Sequence, residues 1–96
     1  MDAEDLVSSL RRLLDGDLSP DDFSARWRGT MTATPGLDAV WANLEHYLSD
    51  GDIRARDEGY RRMQDAALAE LIDRARSGAS MDQLARITFL EWVRPA

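Results

Sequence analysis

Apolar positions recur at helical spacing in five stretches of the chain. Leu6, Val7, Leu10, Leu13 and Leu14 fall at i, i+1, i+4, i+7 and i+8, one stripe of a helix. Asp2, Glu4 and Asp5 stand at its N-terminal end, where the helix dipole favours negative charge, and Gly16 supplies a left-handed stop. The pattern predicts a helix over about 3–15. Ser19-Pro20-Asp21-Asp22 then combines a capping hydroxyl, a proline at the first helical position and acids in the first turn. Phe23, Trp27 and Met31 follow four apart, predicting a short helix over about 20–30; the poor helix formers of 29–34 predict a loop.

Thr34-Pro35 repeats the cap-plus-proline signal before a stripe of Leu37, Val40, Trp41, Leu44 and Leu48, with Tyr47 at its edge. A third helix is predicted over about 35–49, stopped by Asp50-Gly51. Asp57 is a candidate cap for a fourth, over about 57–77, whose inner face is Tyr60, Met63, Ala67, Leu71 and Ala75, widened by Leu68 and Ile72. Asp57–Arg61, Glu58–Arg62 and Glu70–Arg74 are opposite charges spaced to pair along it. Ser80 and Gln83 read as a capping box for a fifth helix, about 80–92. Residues 87–93 are rich in β-branched and aromatic side chains, which keeps a strand open there, but no other strand exists to pair with it. The expected fold is all-α, a compact antiparallel bundle of four to five helices in one domain spanning 1–96.

Composition narrows the chemistry. The longest apolar runs are four residues, such as Ala39–Ala42 and Ala66–Ala69, so no membrane span, no signal peptide and a cytoplasmic location are expected. With no Cys and no Lys, disulfides, thiolate metal sites, Cys nucleophiles, a P-loop lysine and Schiff-base chemistry are excluded. A net charge of −6 disfavours nucleic acid and anionic membranes and points to a basic partner. The charge is uneven: residues 1–22 carry −5 and residues 35–52 carry −4, whereas 54–76 carry +1. An Asp-Gly-Asp at 15–17 recurs at 50–52, an offset close to a tetratricopeptide period, but that repeat's signature positions do not line up.

Each candidate site has a plainer structural alternative. His46 and Asp50 lie one turn apart, too few ligands for a metal, and no metal or other cofactor is expected. Carboxylates are plentiful, but no nucleophile, phosphate loop or His–acid–Ser pattern singles out a catalytic pair; the chain reads as a non-enzyme. Arg54, Arg56, Arg61 and Arg62 have the chemistry to clamp an anion, yet Asp50, Asp52, Asp57 and Glu58 stand ready to neutralise them. Tyr47, Arg54, Asp57 and Tyr60 are therefore assigned to a structural polar corner. Trp27, Trp41 and Trp92 read as core anchors, with Trp92 the one suited to an interface. Asp15, Asp17, Asp21, Asp22, Asp50 and Asp52 form the candidate partner-binding set: that many like charges in so short a chain repel one another unless a basic partner relieves them.

Leu10–Leu14, then Asp15-Gly16-Asp17-Leu18-Ser19-Pro20-Asp21-Asp22-Phe23 and Arg26-Trp27, resemble the opening of bacterial colicin-D-like immunity proteins. That opening reads leucine pair, Gly-Asp/Glu-hydrophobe-Ser/Thr-x-x-x-Phe. His46-Tyr47, Asp52, Arg54, Asp57 and Tyr60 are similar to the same group's tyrosine followed by Asp-x-Arg-x-x-x-x-Tyr. The resemblance covers roughly 6–75; where the group is densely acidic after the second tyrosine, this chain has Arg61 and Arg62. What the resemblance implies is a small helical bundle that binds a basic toxin domain, often a nuclease, and plugs its cationic cleft with carboxylates. The alternative is a non-enzymatic helical interaction or structural module that homodimerises through the apolar 84–93 segment; the chain is expected to be a monomer or a weak homodimer.

Overall fold

The computed structural model describes residues 3–89, and among these there are six helices and no strand. They are α1 (Ala3–Asp15), α2 (Pro20–Ala33), α3 (Leu37–Ser49), α4 (Gly51–Arg56), α5 (Glu58–Arg76) and α6 (Met81–Leu84). The fold is all-α. The most extensive packing joins α2 to α3 and α1 to α5, so the molecule is two helix pairs closed by α4 and α6. One core is built from Leu6, Leu10 and Leu13 of α1; Phe23, Trp27 and Met31 of α2; Leu37, Val40, Trp41, Leu44 and Tyr47 of α3; and Leu68, Leu71 and Ile72 of α5. On α5 the inner face is turned toward Leu68 and Ile72 from the expected line of Tyr60, Met63, Ala67 and Ala75, which are only half-buried. Phe23 lies flat against Trp41, ring centroids 6.3 Å apart, and is fully buried. Offset aromatic stacking of this kind adds to the area it buries.

Three boundaries differ from the sequence expectation, each for a local reason. α2 does not stop near residue 30 but runs to Ala33. Met31 is fully buried, extending the four-residue spacing of Phe23 and Trp27. Thr32 and Thr34 turn their hydroxyls back onto the carbonyls of Arg28 and Thr30, both at 2.7 Å. Core burial outweighs weak propensity here. The same arrangement overturns the reading of Thr34-Pro35 as a helix start. Thr34 closes α2, and α3 begins at Leu37 behind Gly36, whose φ is +91°. The positive φ is what requires glycine at 36; a Cβ there would also stand 2.6 Å from the sulfur of the exposed Met81 side chain, which would have to shift.

The third difference is at the C-terminal end. The capping box of Ser80 and Gln83 forms with both reciprocal bonds, but α6 ends at Leu84 rather than near residue 92, and Ile87 and Thr88 are irregular. Side chains claim the carbonyls that a longer helix would use. Asn43 Nδ2 donates to the Ala85 carbonyl at 2.6 Å, and Gln64 Nε2 to that of Phe89 at 3.0 Å. Phe89 is thereby turned inward, edge-on to the Tyr47 ring at 5.8 Å. The rest of the 87–93 segment, with Trp92, lies outside the described residues. Between Ser49 and Asp57 the expected turn contains α4, a helix of six residues.

Candidate partner-binding surface

Two polar regions meet where α3 gives way to α4. The first is a buried hub centred on Gln64, which is 0% exposed on the inner face of α5. Arg54 Nη1 donates to Gln64 Oε1 at 2.6 Å and to the Tyr47 carbonyl at 2.5 Å, while its guanidinium lies over the Tyr47 ring at 3.8 Å. Arginine only donates, so it fixes which end of the Gln64 amide is oxygen. The opposite end, Nε2, faces three acceptors: Asp50 Oδ2 at 3.1 Å, Tyr60 Oη at 3.1 Å and the Phe89 carbonyl at 3.0 Å. An amide has two hydrogens, so one of them is shared. Tyr60 Oη in turn donates to Asp50 Oδ2 at 2.6 Å.

The hub joins α3, α4, α5 and the Phe89 segment through satisfied polar groups, each of which would be costly if left alone. Tyr47 Oη donates to Asp65 at 3.2 Å, and burial, reinforced by the Asp65 charge, pushes its phenol up to about 12. Burial and the hydrogen bond to Asp50 likewise push the Tyr60 phenol up to about 12. Asp57 is the N-cap of α5, accepting from the Tyr60 N–H at 3.0 Å. Arg61, expected to pair with Asp57, pairs instead with Glu58 at 2.8 Å and Asp65 at 3.3 Å. That pairing holds the Glu58 carboxyl below the usual carboxylate range. The Glu58–Arg62 and Glu70–Arg74 pairs form at 3.2 and 3.4 Å.

The second region is the acidic end. Pro20, Asp21 and Ser24 of α2 line one shallow groove of about 440 Å³ with Glu45, His46 and Ser49 of α3. The start of α2 and the end of α3 therefore lie together, which brings the 15–22 and 50–52 acidic stretches to one end of the molecule. Asp15, Asp17, Asp21, Asp22 and Asp52 are exposed; Asp50 is half-buried, its Oδ2 occupied by Tyr60 and Gln64. Asp21 and Asp22 sit in the first turn of α2, capped by Ser19, and Asp52 in that of α4. Asp15 forms a loose pair with Arg11 at 3.8 Å. Among the described residues no cation pairs with Asp17, Asp21, Asp22 or Asp52.

Gln64 and Asp65 of the hub are not singled out by the sequence, nor is Asn43, which holds Ala85; Phe89 reads there as part of the apolar 84–93 segment and not as a partner of Gln64. Gln64 did leave a trace, since it stands four residues from both Tyr60 and Leu68, a polar side chain in register with an apolar stripe. Among the described residues no three His, Asp or Glu side chains converge as metal ligands, and no helix is long and apolar enough to cross a membrane. Ile87 packs on the core in which Leu84 and Phe89 are buried. Of the apolar segment expected to self-associate, Leu90, Trp92 and Val93 lie outside the described residues. No protein-family model, curated protein or solved structure matches the chain.

Proposed function

We propose that this protein is an immunity-like binding protein, which neutralises a basic bacterial toxin domain, such as a nuclease, by covering its cationic cleft with the acidic end. The observation that carries the reading is the meeting of two acidic stretches, some 30 residues apart in sequence, at one end of the helical scaffold. Asp21, Asp22 and Asp52 present exposed carboxylates from helix starts that favour negative charge, and Asp17 presents one from the turn between α1 and α2; among the described residues none of the four is ion-paired. Such a surface steers a basic partner over distances comparable to the Debye length, about 8–10 Å at physiological salt, and accelerates encounter. Asp50 contributes to the local field while its carboxylate holds the hub together.

The test pairs the protein with a candidate basic toxin domain, sought first among the genes neighbouring its own. Co-expression should protect cells, and calorimetry should give a 1:1 complex whose affinity falls with added salt. A triple Asp17→Lys, Asp22→Lys, Asp52→Lys variant should fold but lose at least tenfold in affinity, with loss of protection. Full protection by that folded variant would remove the acidic end from the mechanism.

A further inference from the structure

Half of the chain's twelve basic residues, all arginines, line two grooves that flank α5. The larger groove, about 820 Å³, lies between α5 and the segment that follows α6. Its floor is small or apolar (Met63, Ala66, Ala67 and Ile87), and its rim carries Arg62, Arg74 and Arg86 against one acid, Glu70. On a chain of net charge −6 this is a local reversal of sign. Arg74 reaches Glu70 at 3.4 Å and Arg62 reaches Glu58 at 3.2 Å, but all four side chains are at least half exposed, so water and incoming carboxylates compete readily for them. Arg86 is exposed and has no acidic partner among the described residues. The groove shares no residue with the acidic end.

We propose that this groove docks an acidic amphipathic helix of a protein partner. Its apolar stripe would rest on Met63, Ala66, Ala67 and Ile87, and its carboxylates would meet Arg62, Arg74 and Arg86. Charge complementarity selects the sign of the partner, because an acidic helix offers Arg86 a carboxylate and gives Arg62 and Arg74 a second one, whereas a basic helix would meet three guanidinium groups of like charge. The small side chains Gly59, Ala66 and Ala67 select its shape, since they let a second helix approach closely along α5. The lining runs from Gly59 to Arg74 of α5, a length matched by a partner helix of about 15 residues. A surface that selects an acidic partner stands apart from the acidic end, which selects a basic one, so either assignment holds or fails without the other.

The probe is a fluorescein-labelled helical peptide of about 16 residues, with Leu at i, i+4, i+7 and i+11 and Glu on both flanks, titrated against the full chain by anisotropy. Saturable binding that weakens with salt is expected, with no binding by the same peptide carrying Lys in place of Glu. Arg86→Glu should weaken binding at least tenfold, and Ala66→Trp should block it by filling the floor. Arg56→Glu, an exposed arginine of α4 outside the groove, should leave it unchanged. Amide chemical-shift changes should map to 62–67, 70–74 and 83–88. Absence of saturable binding to the full chain, equal binding by the Ala66→Trp protein, or shifts centred on the other groove at Val7, Arg11 and Ile72 would each overturn the proposal.

Discussion

Asp50 and Asp52 are two residues apart and are used in opposite ways. Asp50 is half-buried, with Oδ2 accepting from Tyr60 at 2.6 Å and from Gln64 at 3.1 Å. Asp52 is exposed at the start of α4, with no cation paired to it among the described residues. The same contrast separates the two regions to which they belong. In the hub, polar groups are removed from water and bound to one another, so their chemistry is spent on holding four segments in register. At the acidic end, carboxylates keep their hydration and their field, which is what a partner meets first. Residue type does not distinguish the two uses. Burial and hydrogen-bond partners do.

Removing the centre of the hub should have the largest effect on the fold. Gln64→Leu keeps approximate volume but takes away the acceptor of Arg54 and the donor to both Asp50 and the Phe89 carbonyl. Leaving these groups unmatched should cost about 2–4 kcal/mol. Thermal melting should fall on the order of 10–20 °C for a domain of this size. Amide exchange should accelerate first at 85–89, the segment Gln64 anchors through its bond to Phe89. A loss below about 1 kcal/mol would mean that the hub is merely tolerated by the fold rather than holding it.

Why the hub was only half legible in the sequence follows from what each partner needs. Tyr47, Arg54, Asp57 and Tyr60 stand near one another in the chain, on the two sides of one corner, so local spacing suffices to group them. Gln64 acts through Phe89, 25 residues on, and Asn43 acts through Ala85, 42 residues on. Contacts of that range depend on how α3, α5 and the segment after α6 pack, which no local pattern encodes. The helices themselves were legible because apolar periodicity fixes which face is buried. Their ends were less so, because Thr34 closes one helix with the residue type that ordinarily opens another, and because side-chain amides end α6 from a distance. The acidic stretches were visible as composition, but their convergence at one end depends on the α2–α3 packing.

Alkaline titration acts on the hub through its two phenols. Tyr47 and Tyr60 have phenols raised from 10.0 to about 12 in the folded protein. Folding therefore favours the protonated phenols: their contribution is fully present below about pH 10, the unfolded value, and is lost as pH rises through about 12. For Tyr47, which is 5% exposed, a shift of this size corresponds to roughly 2–3 kcal/mol at most. Denaturant midpoints measured between about pH 9 and pH 12 should fall steeply, and Tyr47→Phe should flatten that slope. An unchanged slope in Tyr47→Phe would assign the alkaline loss elsewhere.

The smallest effect is the most direct comparison of all, the same substitution at two positions two residues apart. Asp50→Asn removes the charge that strengthens two hydrogen bonds and leaves a neutral amide oxygen to accept them, so it should lower stability by about 1–2 kcal/mol. Asp52→Asn removes a hydrated carboxylate from the first turn of α4, a helix of six residues. The lost dipole interaction and the relieved repulsion from neighbouring acids oppose each other, leaving a change within about 0.5 kcal/mol. Paired urea titrations of the two variants measure the difference directly. Toward a basic partner the order should invert for folded protein: Asp52→Asn loses a carboxylate facing outward, while Asp50→Asn loses one already occupied by Tyr60 and Gln64. If Asp50→Asn weakened partner binding more than Asp52→Asn at equal folded fraction, the division between a carboxylate that holds the fold and one that meets the partner would be wrong at its clearest point.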